Sequence, residues 1–294
     1  MKKPLFNKVC IIGVGLIGGS LGMAIKKRKL ARWVVGVVRS DQTAKEAIQK
    51  KAVDVAVLDL KEGVKGAELV ILCGPVSTIV NQLKVLAKYV NPKTLVIDVG
   101  STKSDIQKTA KKYFDKQRSS GSPKFVGCHP MAGSEKKGVG YANPDLFEGA
   151  TCFITYHSPN PKISKFWRRV GVSAILHFSP DEHDAFVADV SHLPHILSFA
   201  LFHTYGSSDD IPVTNPSIRD FARLSKSDPA LWSDIILSNR RQIIKALGRY
   251  IKHLSDWQST LMHSDKTKIK NFIDKANKRS YAVMWGKQQP RQLL

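Results

Sequence analysis

Residues 9–14, VCIIGV, form an apolar run that breaks at Gly13 and passes through Gly15 and Gly18 straight into a helical pattern, LIGGSLGMAI. Few short features constrain a fold as tightly. A strand that turns on G-x-G-x-x-G into a helix starts a βαβ unit, and each glycine has its own task. The first permits the tight turn, the second lets a pyrophosphate approach the backbone, and the third lets helix and strand pack closely. The helix N-terminus adds free N–H donors and positive potential, which suits an anionic dinucleotide. The competing reading is a glycine-rich turn that binds nothing. Its place ahead of a βαβ pattern favours the dinucleotide.

The pattern continues downstream. VVGVV (34–38), ELVILC (68–73), TLVIDV (94–99) and KFVGC (124–128) are short, nearly continuous apolar runs. Between them, 41–50, 76–89 and 103–116 carry charges at helical spacing. Strands alternating with helices predict an α/β Rossmann fold, a doubly wound and mainly parallel sheet. Strands covered on both faces do not alternate in polarity. CFITY (152–156) and AILHF (174–178) read as later strands of the same domain, and RSSGSP (118–123) as a loop. After Pro180 the texture changes: 181–205, interrupted at Pro194, then 229–262 and 266–282 have helical periodicity. The expected organisation is a dinucleotide-binding domain over 1–179 and an all-α helical substrate and dimerisation domain over 180–294.

Composition narrows the function. Lys and Arg number 46 against 24 Asp and Glu, a formal charge of +22. Such a balance suits nucleic acid, a membrane surface or small anions. The basic residues are scattered, with modest clusters at Lys26–Lys29, Lys111–Lys112 and Lys266–Arg279, and no long basic run is interleaved with aromatics. A dedicated nucleic-acid partner is therefore not expected, and a field that attracts a dianionic substrate is the more economical reading. No apolar stretch of about 18 residues is evident, so no membrane span is expected. Cys10, Cys73, Cys128 and Cys152 lack metal-ligand spacing and lie in strand-like runs. They are expected to be reduced and buried in a cytoplasmic protein.

The second strand usually ends in an acid when the cofactor is NAD, about 20 residues past the glycines. Here Val38 and Arg39 occupy that place, followed by Ser40 and Asp41. Arg39 and Ser40 suit a 2′-phosphate, which favours NADP. In the alternative, Arg39 stacks on adenine, Asp41 reaches the ribose and the cofactor is NAD.

His129 follows a strand-like run in CHPMAGSE (128–135), at the carboxyl end where open α/β sheets place their sites. Ser101 ends another strand in DVGSTK (98–103), and SHLPH (191–195) and RDFARLSKSDPALWSDI (219–235) follow. Together with GVGLIGGS (13–20), these segments resemble the prephenate and arogenate dehydrogenase family, in order and over about residues 7–260. HPMAGSE combined with SHLPH and the SDPALW segment carries the resemblance far more specifically than the glycine loop does.

The resemblance implies oxidation of a cyclohexadienol by NAD(P) with loss of carbon dioxide, in a homodimer, with no metal. Prephenate is the expected substrate and arogenate the alternative. His129 is the candidate base, because a neutral imidazole has an unperturbed pKa near working pH. Ser101 is expected at the substrate hydroxyl or the histidine; its rival role is a helix cap. Arg223 is expected to grip a substrate carboxylate, since a guanidinium fork fits that group. His195 is expected near the substrate, with His192 one turn earlier. Glu135 is expected to pair with Arg223 and gate the pocket, and Asp220 to position Arg223. Trp232 suits packing as well as substrate contact. Gly13, Gly15, Leu16, Ile17 and Gly18, together with Gly74, Pro75, Arg39 and Ser40, are the expected cofactor contacts. A 3-hydroxyacid or imine-reducing dehydrogenase would lack HPMAGSE and place a catalytic lysine on its helices; Lys226 and Lys245 have no such context.

Overall fold

The computed structural model describes residues 3–114, 124–134, 136–155, 160–204 and 216–285, the last five as backbone. The expected loop at 118–123 and the tail after Trp285 lie outside them. The chain divides into two compact units, Met1–Ile243 and Ile244–Leu294.

Among the described residues, the first unit is built on eight strands: β1 (Phe6–Ile12), β2 (Ala31–Val37), β3 (Val55–Val57), β4 (Leu69–Leu72), β5 (Leu95–Asp98), β6 (Lys124–Pro130), β7 (Thr151–Thr155) and β8 (Ala174–His177). They form one sheet in the order β3-β2-β1-β4-β5-β6-β7-β8. Every pairing is parallel except β6 with β7. Among the described residues, the α-helices that connect the strands are α1 (Leu16–Lys27), α2 (Asp41–Gln49), α3 (Leu60–Val64), α4 (Val76–Leu86), α5 (Ser104–Phe114) and α6 (Pro161–Val170). β1 sits between β2 and β4, so the crossovers leave on opposite sides there and open a crevice at the strands' carboxyl ends.

Both faces of the sheet are covered, which explains the unbroken apolar runs. Along β1, Val9 and Ile11 enter one core with Phe6, Phe166 and Trp167. Cys10 and Ile12 enter the other with Val70, Leu83 and Phe114. Each such side chain contributes about 1.5–3 kcal/mol on burial. Cys10, Cys128 and Cys152 are buried free thiols and Cys73 is half-buried. Burial pushes the Cys10 thiol up to about 12.

Some elements differ from expectation. β2 begins at Ala31, three residues earlier than its apolar run, with Arg32 and Trp33 exposed. β3 was not expected: three half-exposed residues on the sheet edge give little apolar signal. After β8 come α7 (Pro180–Val187), a π-helical turn (Ala188–His192) and α8 (Leu193–Thr204) in one continuous run. Pro194 has no N–H for the carbonyl four residues back, and the widened turn just ahead of it absorbs the defect. This run has length and mean hydropathy (1.4) enough for a membrane span, a property the sequence reading did not register. It nevertheless carries His183, Asp184, His192 and His195, all in polar contacts. The expected helix at 229–262 is two helices, α10 (Pro229–Ser238) and α11 (Arg240–Met262), which follow α9 (Pro216–Ser225) and are separated by the buried Asn239. In the second unit, α12 (Lys266–Trp285) meets α11 through Trp257 and Phe272, ring centres 5.2 Å apart.

Candidate active site

The glycine turn has no room for side chains where it folds and ample room where it faces outward. Gly13 has φ 93°, and a Cβ there would meet the Cys73 carbonyl oxygen at 2.3 Å. A Cβ on Gly18 would meet the Gly13 carbonyl oxygen at 2.1 Å. A Cβ on Gly15 would meet nothing within 4 Å, and Gly15 has no side chain to cap α1. The first N–H groups of that helix are thus left to a ligand. Gly15, Leu16, Ile17, Gly74 and Pro75 line a cavity of about 640 Å³. Gly13 and Gly18 shape the turn from behind. Arg39 is exposed just past the end of β2, and the Gly13 N–H donates to the Val37 carbonyl at 3.0 Å, so the two turns adjoin. Ser40 caps α2, its hydroxyl accepting the Thr43 N–H at 3.3 Å. Neither Arg39 nor Ser40 lines the cavity.

His129 lines the same cavity from the end of β6, where it pairs with Phe153 of β7. The backbone of the preceding residue is held by an acid at the end of the neighbouring strand. Asp98, fully buried at the end of β5, accepts the Gly100 N–H at 2.8 Å and the Cys128 N–H at 3.2 Å. It also pairs with the buried ammonium of Lys103. Burial raises the Asp98 carboxyl pKa and Lys103 opposes the rise. One carboxylate thereby ties the Ser101 loop to the strand that carries His129.

The His129 ring lies against a second imidazole, its Nδ1 2.9 Å from Nε2 of His183. Burial first, then the neighbouring His183 imidazole and the Lys103 charge, hold His129 well below the ordinary histidine pKa of 6.5, so it is neutral. Ser101 also lines the cavity. It does not cap α5; the Lys103 and Ser104 N–H groups that open that helix donate to Asp184 of α7 at 2.7 and 2.8 Å. The Ser101 hydroxyl has no hydrogen-bond partner among the described residues and is left for a ligand.

The far wall comes from the helices. His192, His195, Arg223 and Trp232 line it. The Asn239 amide donates to the Asp184 carbonyl at 2.8 Å and to His192 Nδ1 at 3.1 Å, which leaves His192 with its proton on Nε2. Burial lowers the His192 pKa to about 4. His195 donates from Nδ1 to the Ser191 carbonyl at 2.9 Å and stacks on Trp232, ring centres 3.5 Å apart. Burial also lowers its pKa. Arg223 has no ion pair among the described residues. Asp220 is exposed on α9 and does not line the cavity. Glu135 lies outside the described residues. Lys137, across the cavity, pairs with Asp228, which also caps α10 by accepting the Ala230 and Leu231 N–H groups at 2.7 and 3.0 Å.

Sequence reasoning missed Asp98, Lys103, His183 and Asp184. An acid closing the apolar run TLVID was the available signal for Asp98. Lys103 stands only five residues from Asp98, in the same segment DVGSTK, but reads as a solvated loop lysine. His183 and Asp184 join the site through contacts 54 and 81 positions apart, for which no local pattern exists.

Comparison with known proteins identifies the family. Residues 21–176 match the family model for the prephenate dehydrogenase nucleotide-binding domain, and residues 179–275 match that for the prephenate dehydrogenase dimerization domain. The prephenate dehydrogenase of Lactococcus lactis is 32% identical over 282 residues, 92% of this chain and 76% of the relative. That of Bacillus subtilis is also 32% identical, over 92% of this chain and 74% of the relative. Among solved structures, prephenate dehydrogenase from A. aeolicus, in complex with hydroxyphenyl propionate and NAD+, superposes with a TM-score of 0.81 at 26% identity, covering 94% of this chain and 98% of that one. Synechocystis arogenate dehydrogenase gives 0.78 at 27% identity, covering 94% and 99%. With both family models matched in order and the Rossmann sheet and histidine site in place, this chain belongs to the prephenate dehydrogenase family.

Proposed function

We propose that this enzyme oxidises prephenate with NAD(P), releasing carbon dioxide and 4-hydroxyphenylpyruvate, a step towards tyrosine. The observation that carries this reading is convergence: the glycine turn, His129 and Arg223 line one cavity. The residues present suit a dinucleotide, since the open surface at Gly15 and the uncapped start of α1 form a cradle for its pyrophosphate. When bound there, the nicotinamide supplies the hydride acceptor. The chain's own residues do the rest. Arg223 holds a substrate carboxylate, and Ser101 orients the hydroxyl on the reacting ring carbon. His129, neutral in its pocket, takes the hydroxyl proton as the carbonyl forms. Carbon dioxide then leaves as the ring becomes aromatic, and that gain drives the step without a metal.

Lys136 and Arg223, with Lys137 offset by Asp228, give the cavity a positive field suited to a dianion. Asp228, the carboxylate among its described lining residues, is already bound to Lys137 and to the start of α10. That supports the keto acid prephenate over arogenate, whose side chain carries an ammonium. Arg39 beside the glycine turn favours NADP. The match to a dimerization domain supports a homodimer, with 1–179 as the dinucleotide-binding domain and 180–294 as the substrate and dimerisation domain, in the cytoplasm. A two-by-two comparison of initial rates, prephenate and arogenate each with NAD and NADP, tests the reading. Prephenate with NADP is expected to be fastest. Inactivity with all four pairs would refute the function, and a large preference for NAD would refute the role of Arg39.

A further inference from the structure

His129 is backed by a chain of buried polar groups. Its Nδ1 lies 2.9 Å from Nε2 of His183, and Nδ1 of His183 lies 2.8 Å from Oδ1 of Asp184. His183 is fully buried, edge-on to Phe153 with ring centres 5.3 Å apart. Asp184 is anchored from a different direction by the Lys103 and Ser104 N–H groups.

One arrangement of hydrogens satisfies every member. Burial would raise the Asp184 carboxyl pKa, but hydrogen bonds from His183 and Ser104 outweigh it and hold the group below its ordinary value. It is therefore ionised and only accepts. His183, whose own pKa burial lowers, is neutral and must spend its single proton on Nδ1, towards Asp184. Its Nε2 is then a bare lone pair, which accepts the proton on Nδ1 of His129. That leaves Nε2 of His129, the ring nitrogen not facing His183, without a hydrogen.

We propose that His183 and Asp184 are positioning residues that fix His129 as the Nδ1–H tautomer, presenting a bare Nε2 to the substrate hydroxyl. The inference rests on His129 as the base of the proposed reaction. When Nε2 takes the hydroxyl proton, one O–H bond breaks and one N–H bond forms. The positive charge is shared between two imidazoles that face the Asp184 carboxylate. Lys103 and His192 also face His129; the Lys103 charge is offset by Asp98. An amide in place of the carboxylate would permit the opposite tautomer, the failure known for histidine–aspartate pairs in hydrolases.

The test pairs a spectrum with two variants. Imidazole nitrogen-15 NMR of the wild-type protein, with the His129 signals assigned by their loss in His129→Asn, reads the tautomer without any turnover. His183→Gln keeps an acceptor oxygen near the position of Nε2, whereas His183→Phe removes it. A protonated Nδ1 and bare Nε2 on His129 are expected in the wild type. In His183→Phe, kcat is expected to fall about 10–100-fold with KM for substrate and cofactor within about twofold, and His183→Gln should recover most of that loss. A protonated Nε2 on wild-type His129, or equal kcat in the two variants, would overturn the proposal. If His183→Phe does not fold, the wild-type spectrum and His183→Gln decide. If the wild type proves inactive on both substrates, the reaction falls, and the spectrum alone still supports or refutes the fixed tautomer.

Discussion

The glycine wall of the cavity works by leaving side chains out, whereas the histidine wall works by packing ionisable side chains together. At Gly13 and Gly18 a single Cβ would collide with a backbone carbonyl. Around His129, two carboxylates, an ammonium and three imidazoles share a small volume, and each is neutralised or hydrogen-bonded. Buried polar groups are costly unless they are satisfied in this way. The first wall binds through backbone N–H groups and a helix terminus, so its requirement is space. The second adjusts the proton affinity of one ring, so its requirement is orientation and charge.

Substitutions on the two walls should therefore fail differently. The largest effect is expected for His129→Asn: kcat should fall about 10²–10⁴-fold while cofactor affinity stays within about twofold, because a general base contributes about that much. Steady-state rates with a cofactor titration check this, and near-normal turnover would remove His129 from the mechanism. Gly18→Ala should do the reverse. Its Cβ would meet a backbone carbonyl that cannot swing aside, and strain of about 3 kcal/mol in the loop corresponds to about 100-fold in cofactor affinity. Fluorescence titration with the reduced cofactor reads it, and unchanged affinity would place the dinucleotide elsewhere. Arg223→Ala should raise KM for prephenate about tenfold or more, the loss of about 1.5 kcal/mol or more from a charged hydrogen bond. An unchanged KM would remove its carboxylate contact.

The smallest effect is on stability against pH, and it belongs to the histidine wall alone. His129, His183 and His192 all have lowered pKa values, chiefly through burial. Below pH 6.5 the unfolded chain takes up protons on these rings that the folded chain refuses. Stability is thus full above 6.5 and falls as the pH drops towards about 4, the value for His192. Thermal unfolding should show Tm declining through that window in the wild type and less steeply in His192→Gln. Equal slopes would contradict buried neutral imidazoles.

The same contrast explains what could be read from the sequence. The glycine turn, the strand runs and the HPMAGSE segment are local, and local patterns carry their own physics: a tight turn needs glycine, and a covered strand needs apolar residues. The histidine wall joins Asp98 to Cys128, His129 to His183 and Asp184 to Asn239, contacts spanning 30, 54 and 55 positions. Asp184 sits in PDEHD, where it reads as one more polar residue near the start of a helix, although it caps α5 across the fold. Lys103 sits in a polar stretch and reads as solvated, yet it is buried against Asp98. The π-helical turn and the break at Asn239 were likewise invisible to periodicity, because one residue of defect does not disturb an apolar stripe.

A crystal structure of the enzyme with oxidised cofactor and a non-reacting analogue that keeps the ring hydroxyl examines the arrangement directly. The hydroxyl oxygen is predicted within about 2.6–3.2 Å of Nε2 of His129, with an analogue carboxylate on Arg223 and the nicotinamide against the ring. An analogue whose hydroxyl points away from His129, with the nicotinamide out of reach of the ring, would contradict the account.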